Sequence, residues 1–203
     1  MIEVDNEGGL RIITITRPEK ANSMTREMLV ALDEAVVAAS EDPSVHALVL
    51  TGAGKVFSAG MDLEAAKAGL AKDPVWERLS EAIANCPVLT IAALNGTAAG
   101  GALGMVFACD LRVAVPTARV FYPVMKLGFL PQPSDPVRLA KLVGPSRAKL
   151  ILMAGQKIEA DDALAMGLID RLSDTPLDEA RALAADVLTA DRAHVAAIKG
   201  LCP

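Results

Sequence analysis

Two glycine-bearing segments constrain this 203-residue chain more than anything else in it. Phe57-Ser58-Ala59-Gly60-Met61-Asp62-Leu63 follows the apolar run Ala47 to Thr51, and Asn95-Gly96-Thr97-Ala98-Ala99-Gly100-Gly101-Ala102 follows the run Val88 to Leu94. Each run has the length of a buried strand, and each glycine segment leads into a helix-like stretch. Glycine lets a strand-to-helix turn bend sharply and leaves its N–H groups uncovered by side chains. Two such turns brought together aim two backbone donors at one oxygen, the construction of an oxyanion hole for acyl chemistry. Taken alone, the same glycines also serve simply as tight turns.

The rest of the chain supports one domain with several short strands. Ile2 to Asp5 and Leu10 to Thr16 read as a hairpin around Gly8-Gly9, closed off by Arg17-Pro18. Apolar residues at helical spacing mark Met24 to Ala39, with Ser23 or Thr25 as its cap. Helices are expected at Asp62 to Leu70, Val75 to Ala84 and Gly101 to Ala108. Short strands are expected at Leu111 to Val115 and Arg119 to Phe121. Three prolines and a glycine make Leu127 to Pro136 an irregular loop, and helices fill Val137 to Lys199. Strand and helix alternate first and helices follow, which argues an α/β fold.

Composition excludes several classes of partner. The net charge is -5, the isoelectric point is near 5.1, and the basic residues form no stripe, so neither nucleic acid nor an anionic membrane is the expected partner. No apolar run approaches the roughly 20 residues of a membrane span, and the acidic start Met1-Ile2-Glu3-Val4-Asp5 does not read as a signal peptide. The expectation is a soluble cytoplasmic protein. Cys86, Cys109 and Cys202 lack metal or redox spacing and read as reduced core thiols. No metal site is expected.

The motifs, in their order along the chain, resemble the crotonase family, also known as the enoyl-CoA hydratase/isomerase superfamily. Arg17-Pro18-Glu19-Lys20-Ala21-Asn22-Ser23-Met24 is similar to its N-terminal coenzyme A contact segment, and Leu50 through Leu63 to its first oxyanion strand and turn. Asn95 through Asp110 is similar to the second, and Gly144-Pro145-Ser146-Arg147-Ala148 and Ala165-Met166-Gly167-Leu168-Ile169 to later signatures. The resemblance implies a crotonase-like ββα spiral over residues 1–142 and a helical C-terminal region over 143–203. It implies homotrimers or dimers of trimers, and lyase or isomerase action on an acyl-CoA thioester. Coenzyme A enters as part of that substrate, with no separate cofactor. The thioester carbonyl is expected between the N–H groups of Met61 and Gly101. Lys20, Ala21, Asn22, Ala59, Gly60, Asp62, Leu63, Gly100 and Val124 are the expected contacts to the bound thioester. Lys20 is equally an exposed turn lysine, and Asp62 equally a helix N-terminal carboxylate.

The proton-transfer positions depart from the family. Aligned from Cys109-Asp110, the slots that hold two glutamates in hydratases carry Gly104 and Val124, and a third slot that holds an aspartate in some relatives carries Gln132. None of these transfers protons usefully. Asp135 and Tyr122 are the nearby candidates, although Asp135 before Pro136 also suits a helix start and Tyr122 also suits packing. His46 and His194 lie far from both glycine turns, which argues against a Ser-His-Asp triad. Two readings stay open: an enzyme that stabilises a thioester enolate, with doubtful ordinary hydratase activity, and a non-catalytic acyl-CoA-binding or assembly subunit.

Overall fold

The computed structural model describes residues 1–202, which form two sheets wrapped by helices. The larger sheet runs β1 (Ile2–Glu7), β2 (Leu10–Ile15), β3 (Ala47–Gly52), β5 (Leu89–Leu94), β7 (Leu111–Ala114) and β10 (Arg171–Leu172). β1 and β2 pair antiparallel across the turn at Gly8-Gly9, and every later neighbour is parallel. The smaller sheet orders β4 (Val56–Ser58), β6 (Thr97–Ala99), β8 (Arg119–Phe121) and β9 (Ile158–Glu159). Each parallel turn of the spiral thus puts one strand in the large sheet and the next in the small one.

Strand alternation explains why the large sheet is covered on both faces. Successive side chains point to opposite sides. Ile13, Ile15, Leu48, Leu50, Ala92 and Leu94 join the main core, with α1 (Arg26–Glu41) and α3 (Val75–Ala84). Leu10, Ile12, Ala47, Val49, Ile91 and Ala93 face the other way and pack on Ala180 and Ala184 of α9 (Pro176–Thr189). β3 is buried at all six positions, as expected for a parallel strand with both faces covered.

The helices after the second glycine turn are α4 (Ala102–Ala108), α5 (Val124–Leu127), α6 (Asp135–Val143), α7 (Pro145–Leu152), α8 (Ala160–Ala165), α9 and α10 (Arg192–Leu201). Three expectations need correction. The helix expected at Asp62 to Leu70 is a five-residue α2 (Leu63–Lys67), followed by a 3-10 turn at Leu70–Lys72; Gly69, at φ +93°, interrupts it. The loop expected at Leu127 to Pro136 is bounded by helices at both ends. The C-terminal region also returns two-residue strands to each sheet, β9 beside β8 and β10 beside β7. Strands that short carry no readable alternation. Among the described residues no helix is long and apolar enough to cross a membrane.

Cys86 and Cys109 are buried as expected, but Cys202 is exposed. Burial pushes the Cys109 thiol up to about 12, with Asp110 adding to the effect, so it has no thiolate character near neutrality.

Candidate functional site

The two glycine turns meet. A Cβ placed on Gly60 would stand 2.6 Å from the Ala99 carbonyl oxygen and 3.3 Å from the Gly100 Cα. Only glycine fits there, and the positive φ of Gly60 (+89°) and Gly100 (+58°) adds to that requirement. The approach follows from the strands below, because β4 pairs with β6 in parallel and delivers both turns at the same end.

The residues beyond the turns line one cavity of about 230 Å³. Ala59 and Met61 come from the first turn, Gly100 and Gly101 from the second, and Tyr122 and Val124 from the end of β8 and the start of α5. Gly101 precedes α4, so its N–H lies at a helix N-terminus and has no partner within the helix. Met61 bridges to Met24, through Met24 N–H to the Gly60 carbonyl and Asp62 N–H to the Met24 carbonyl. These bonds clamp the peptide on either side of Met61. Among the described residues neither the Met61 nor the Gly101 N–H finds an acceptor.

Trp76 forms another wall. Its ring packs closely against Gly101, with Cζ3 3.1 Å from the position a Cβ would take. Its Nε1–H is spent on the Leu70 carbonyl at 3.0 Å, so it offers the cavity an apolar face. Phe121, Leu127, Phe129 and Leu130 complete a lining in which polar side chains are few. Leu63 and Leu130 line the mouth and stand 79% and 88% exposed.

The segment before the first turn is held against it. Ala21 and Asn22 adopt positive φ, +51° and +53°. Ala59 N–H donates to the Ala21 carbonyl, and Ser58 Oγ donates to the Asn22 carbonyl. The Asn22 side chain is fully buried; it accepts from Arg17 N–H and donates to the carbonyls of Ala53 and Val56, so its polar atoms are spent inside the protein. Lys20 is exposed on the adjacent 3-10 turn. Asp62 caps α2 through Glu64 N–H and Ala65 N–H and pairs with Arg17 at 2.8 Å. The Arg17 hydrogen bond holds its carboxyl below the usual range.

Asp135 and Tyr122 are brought together. Tyr122 Oη donates to Asp135 Oδ2 at 2.8 Å. Tyr122 is 4% exposed and Asp135 is fully buried. Burial pushes the Asp135 carboxyl up to about 6, against the opposing effect of the Tyr122 bond. Burial likewise pushes the Tyr122 phenol well above its ordinary value. Gln132 lies on the cavity wall, Val124 is a buried part of it, and Gly104 faces Asp135 rather than open space. Trp76, Phe121, Leu127 and Leu130 carry no motif and were not legible as wall residues. His46 immediately precedes β3 and His194 is exposed on α10.

A larger groove of about 760 Å³ lies elsewhere, between Phe107, Leu111, Val187, Val195 and Ile198. Neither glycine turn reaches it.

Sequence comparison agrees with this architecture. Residues 5–202 match the model of the family described as enoyl-CoA hydratase/isomerase. The chain is 38% identical over 205 residues to the "Probable enoyl-CoA hydratase EchA14" of Mycobacterium tuberculosis, covering 98% of this chain and 79% of that one. It is 35% identical over 179 residues to the short-chain-enoyl-CoA hydratase of Clostridium acetobutylicum, covering 83% and 67% respectively. The solved structure of Pseudomonas aeruginosa DspI superposes with a TM-score of 0.91 at 32% identity, over 99% of this chain and 79% of that one. Fold, turns and sequence agree: the chain belongs to the enoyl-CoA hydratase/isomerase family.

Proposed function

We propose that this protein binds an acyl-CoA thioester and stabilises its enolate between the N–H groups of Met61 and Gly101. The observation that carries this reading is the pair of unengaged backbone donors on one small cavity, supplied by two turns whose close approach at Gly60 only glycine permits. Donors fixed before the reaction lose nothing to reorganisation when charge develops on the carbonyl oxygen, and one such donor is worth roughly 3 kcal/mol. Family membership supports acyl-CoA as the substrate class.

The cavity's size and lining support a division of the ligand. At about 230 Å³ it is smaller than the ~300–1,000 Å³ usual for a whole drug-sized ligand. It suits the acyl group and thioester, and leaves the rest of coenzyme A on the surface beside Lys20, Ala21 and the first turn. The apolar wall of Trp76, Phe121 and Leu127 suits an apolar acyl group.

Titration calorimetry of acetyl-CoA, and of a longer acyl-CoA, against free coenzyme A tests the proposal. The thioesters are expected to bind more tightly, because only they offer a carbonyl to the two donors. Equal affinity for thioester and free coenzyme A, or no binding of either, overturns it.

A further inference from the structure

Gly104 leaves a gap on the inner side of α4, and the Asp135 carboxylate fills it. A Cβ at position 104 would stand 2.8 Å from Asp135 Oδ1 and 3.4 Å from Oδ2. The position that resemblance assigns to a glutamate is therefore empty of its own side chain, yet a carboxylate sits against it. That carboxylate comes from the first turn of α6 instead of from α4.

The carboxylate is not there as an ordinary helix cap. Its one side-chain hydrogen bond is to Tyr122, and the nearby Gln132 backbone lies before α6 rather than within its first turn. Oδ2 is held by Tyr122, and Oδ1 is buried with no hydrogen-bond partner among the described residues. A buried carboxylate oxygen without a partner is costly, and native folds rarely keep one without a use. Tyr122 lines the cavity that the Met61 and Gly101 donors share, so its phenol links that cavity to the buried acid.

We propose that Asp135, acting through the Tyr122 phenol, is the proton carrier of this site, and that the reaction is a double-bond shift in an apolar enoyl thioester. The proposal rests on the acyl-CoA reading above. Hydration needs one group to place water and a second to protonate carbon, whereas a 1,3-proton shift needs a single carrier that takes a proton and gives it back. Val124 supplies no second acid or base.

The step balances without a co-reactant. In a β,γ-unsaturated thioester the α C–H bond breaks, and its proton passes to the Tyr122 oxygen as the phenol proton passes to Asp135 Oδ2. The C–H electron pair enters the conjugated enolate, whose oxygen charge falls on the two backbone N–H groups. Asp135 then returns its proton to Tyr122, which delivers one to the γ-carbon. The product is the α,β-unsaturated thioester, and both side chains are restored.

The groups facing Asp135 set the pH at which this works. Tyr122 donates to it, Glu77 of α3 opposes its ionisation, and Arg138 of α6 and the Gln132 backbone favour it. Turnover is therefore expected to fall on the acid side of about pH 6, as the carboxylate takes up its proton.

The test is conversion of trans-3-hexenoyl-CoA to its conjugated isomer, followed by absorbance, beside hydration of crotonyl-CoA. Wild type is expected to isomerise faster than it hydrates, with an acid limb near pH 6. Asp135→Asn and Tyr122→Phe are each expected to lower kcat by ~10²–10⁴-fold with KM within about twofold. Tyr122→Phe removes one oxygen and keeps the ring in place, so it still reports if Asp135→Asn folds poorly. Wild-type turnover in Tyr122→Phe overturns the proposal, as does hydration faster than isomerisation. Calorimetry on the same wild-type protein separates the two claims. Thioester binding with no isomerisation overturns this inference alone, and absence of selective thioester binding overturns the proposed function as well.

Discussion

Gly101 and Gly104 stand three residues apart at the start of α4, and each lacks a side chain for a different reason. A Gly101 Cβ would stand 3.1 Å from the Trp76 ring, and a Gly104 Cβ 2.8 Å from the Asp135 carboxylate. At Gly101 the proposed function makes the backbone the working group, an N–H at the helix N-terminus without an acceptor among the described residues. At Gly104 the backbone offers nothing, and the missing side chain makes room for chemistry delivered from α6. A motif that places backbone donors is written in consecutive residues. A group that replaces a missing side chain comes from wherever the fold has space.

The largest expected effect comes from breaking the Gly101 side of this comparison. Gly101→Pro removes the N–H at a backbone φ of -59° that proline tolerates. Turnover on any thioester substrate should fall by ~10²–10³-fold. The preference for thioester over free coenzyme A in calorimetry should shrink as well. Gly101→Ala is the control, since it keeps the N–H and adds a methyl against the same Trp76 ring. If the two variants behave alike, the contact with Trp76 matters and the donor does not.

The Asp135 side is tested by stability against pH. Its carboxyl titrates at about 6 in the fold and at 3.8 in the unfolded chain. Between those values the folded state holds more protons, so this group's contribution to stability is fully present below about pH 4 and is lost as pH rises through 6. A shift of about two units corresponds to ~3 kcal/mol. Urea unfolding of wild type and Asp135→Asn at pH 4 and pH 7 should show wild type losing about that much relative to the variant. The subtraction removes the paired carboxylates Glu7, Asp42 and Asp62, whose lowered values act in the opposite direction. A constant difference across the range would show that Asp135 ionises as freely in the fold as in the unfolded chain.

How much of this could be read from the chain depended on sequence distance. β3, β5 and both glycine turns were legible because each is a continuous apolar run closed by glycine. α3, at Val75–Ala84, fell where its periodicity put it. β4, β6, β9 and β10 are two or three residues long and form only because neighbouring strands are already in place. The same limit applied at the site. Asp135 and Tyr122 were visible as candidates, but their bond spans 13 residues and depends on how α6 docks. Trp76 reaches Gly101 from α3, and nothing local marks that meeting. Asn22 sits in a segment that resembles a coenzyme A contact, yet its side-chain bonds run inward to Arg17, Ala53 and Val56.

A smaller effect is expected from Gly104→Ala. The added methyl meets Asp135 Oδ1 at 2.8 Å, closer than such contacts occur, so the carboxylate has to move within a packed site. Overpacking of this kind costs ~1–3 kcal/mol. The variant should lose that much in urea unfolding and also lose part of any activity that depends on Asp135. Combined with Asp135→Gly, the same alanine should cost much less, because the space it needs has been vacated. Costs that simply add would mean the two positions do not compete for one volume.

The smallest effect is expected at Lys20, and its pattern matters more than its size. Lys20 is exposed and takes part in no ion pair among the described residues. Lys20→Met should therefore leave unfolding unchanged. If Lys20 meets a phosphate of coenzyme A, its loss weakens binding by no more than ~1 kcal/mol, the range of a solvent-exposed charge pair. Salt should reduce that difference, since charges at the surface are screened within about 10 Å at 0.1 M ionic strength. Free coenzyme A and its thioesters carry the same phosphates, so both should weaken by the same factor. That is the opposite signature to Gly101→Pro, which should weaken only the thioester. Calorimetry of both ligands against both variants at low and high salt separates the two signatures. A Lys20→Met variant that lost affinity for the thioester alone would place Lys20 at the carbonyl rather than at the phosphates, and would undo the division between a cavity for the acyl group and a surface for the rest of coenzyme A.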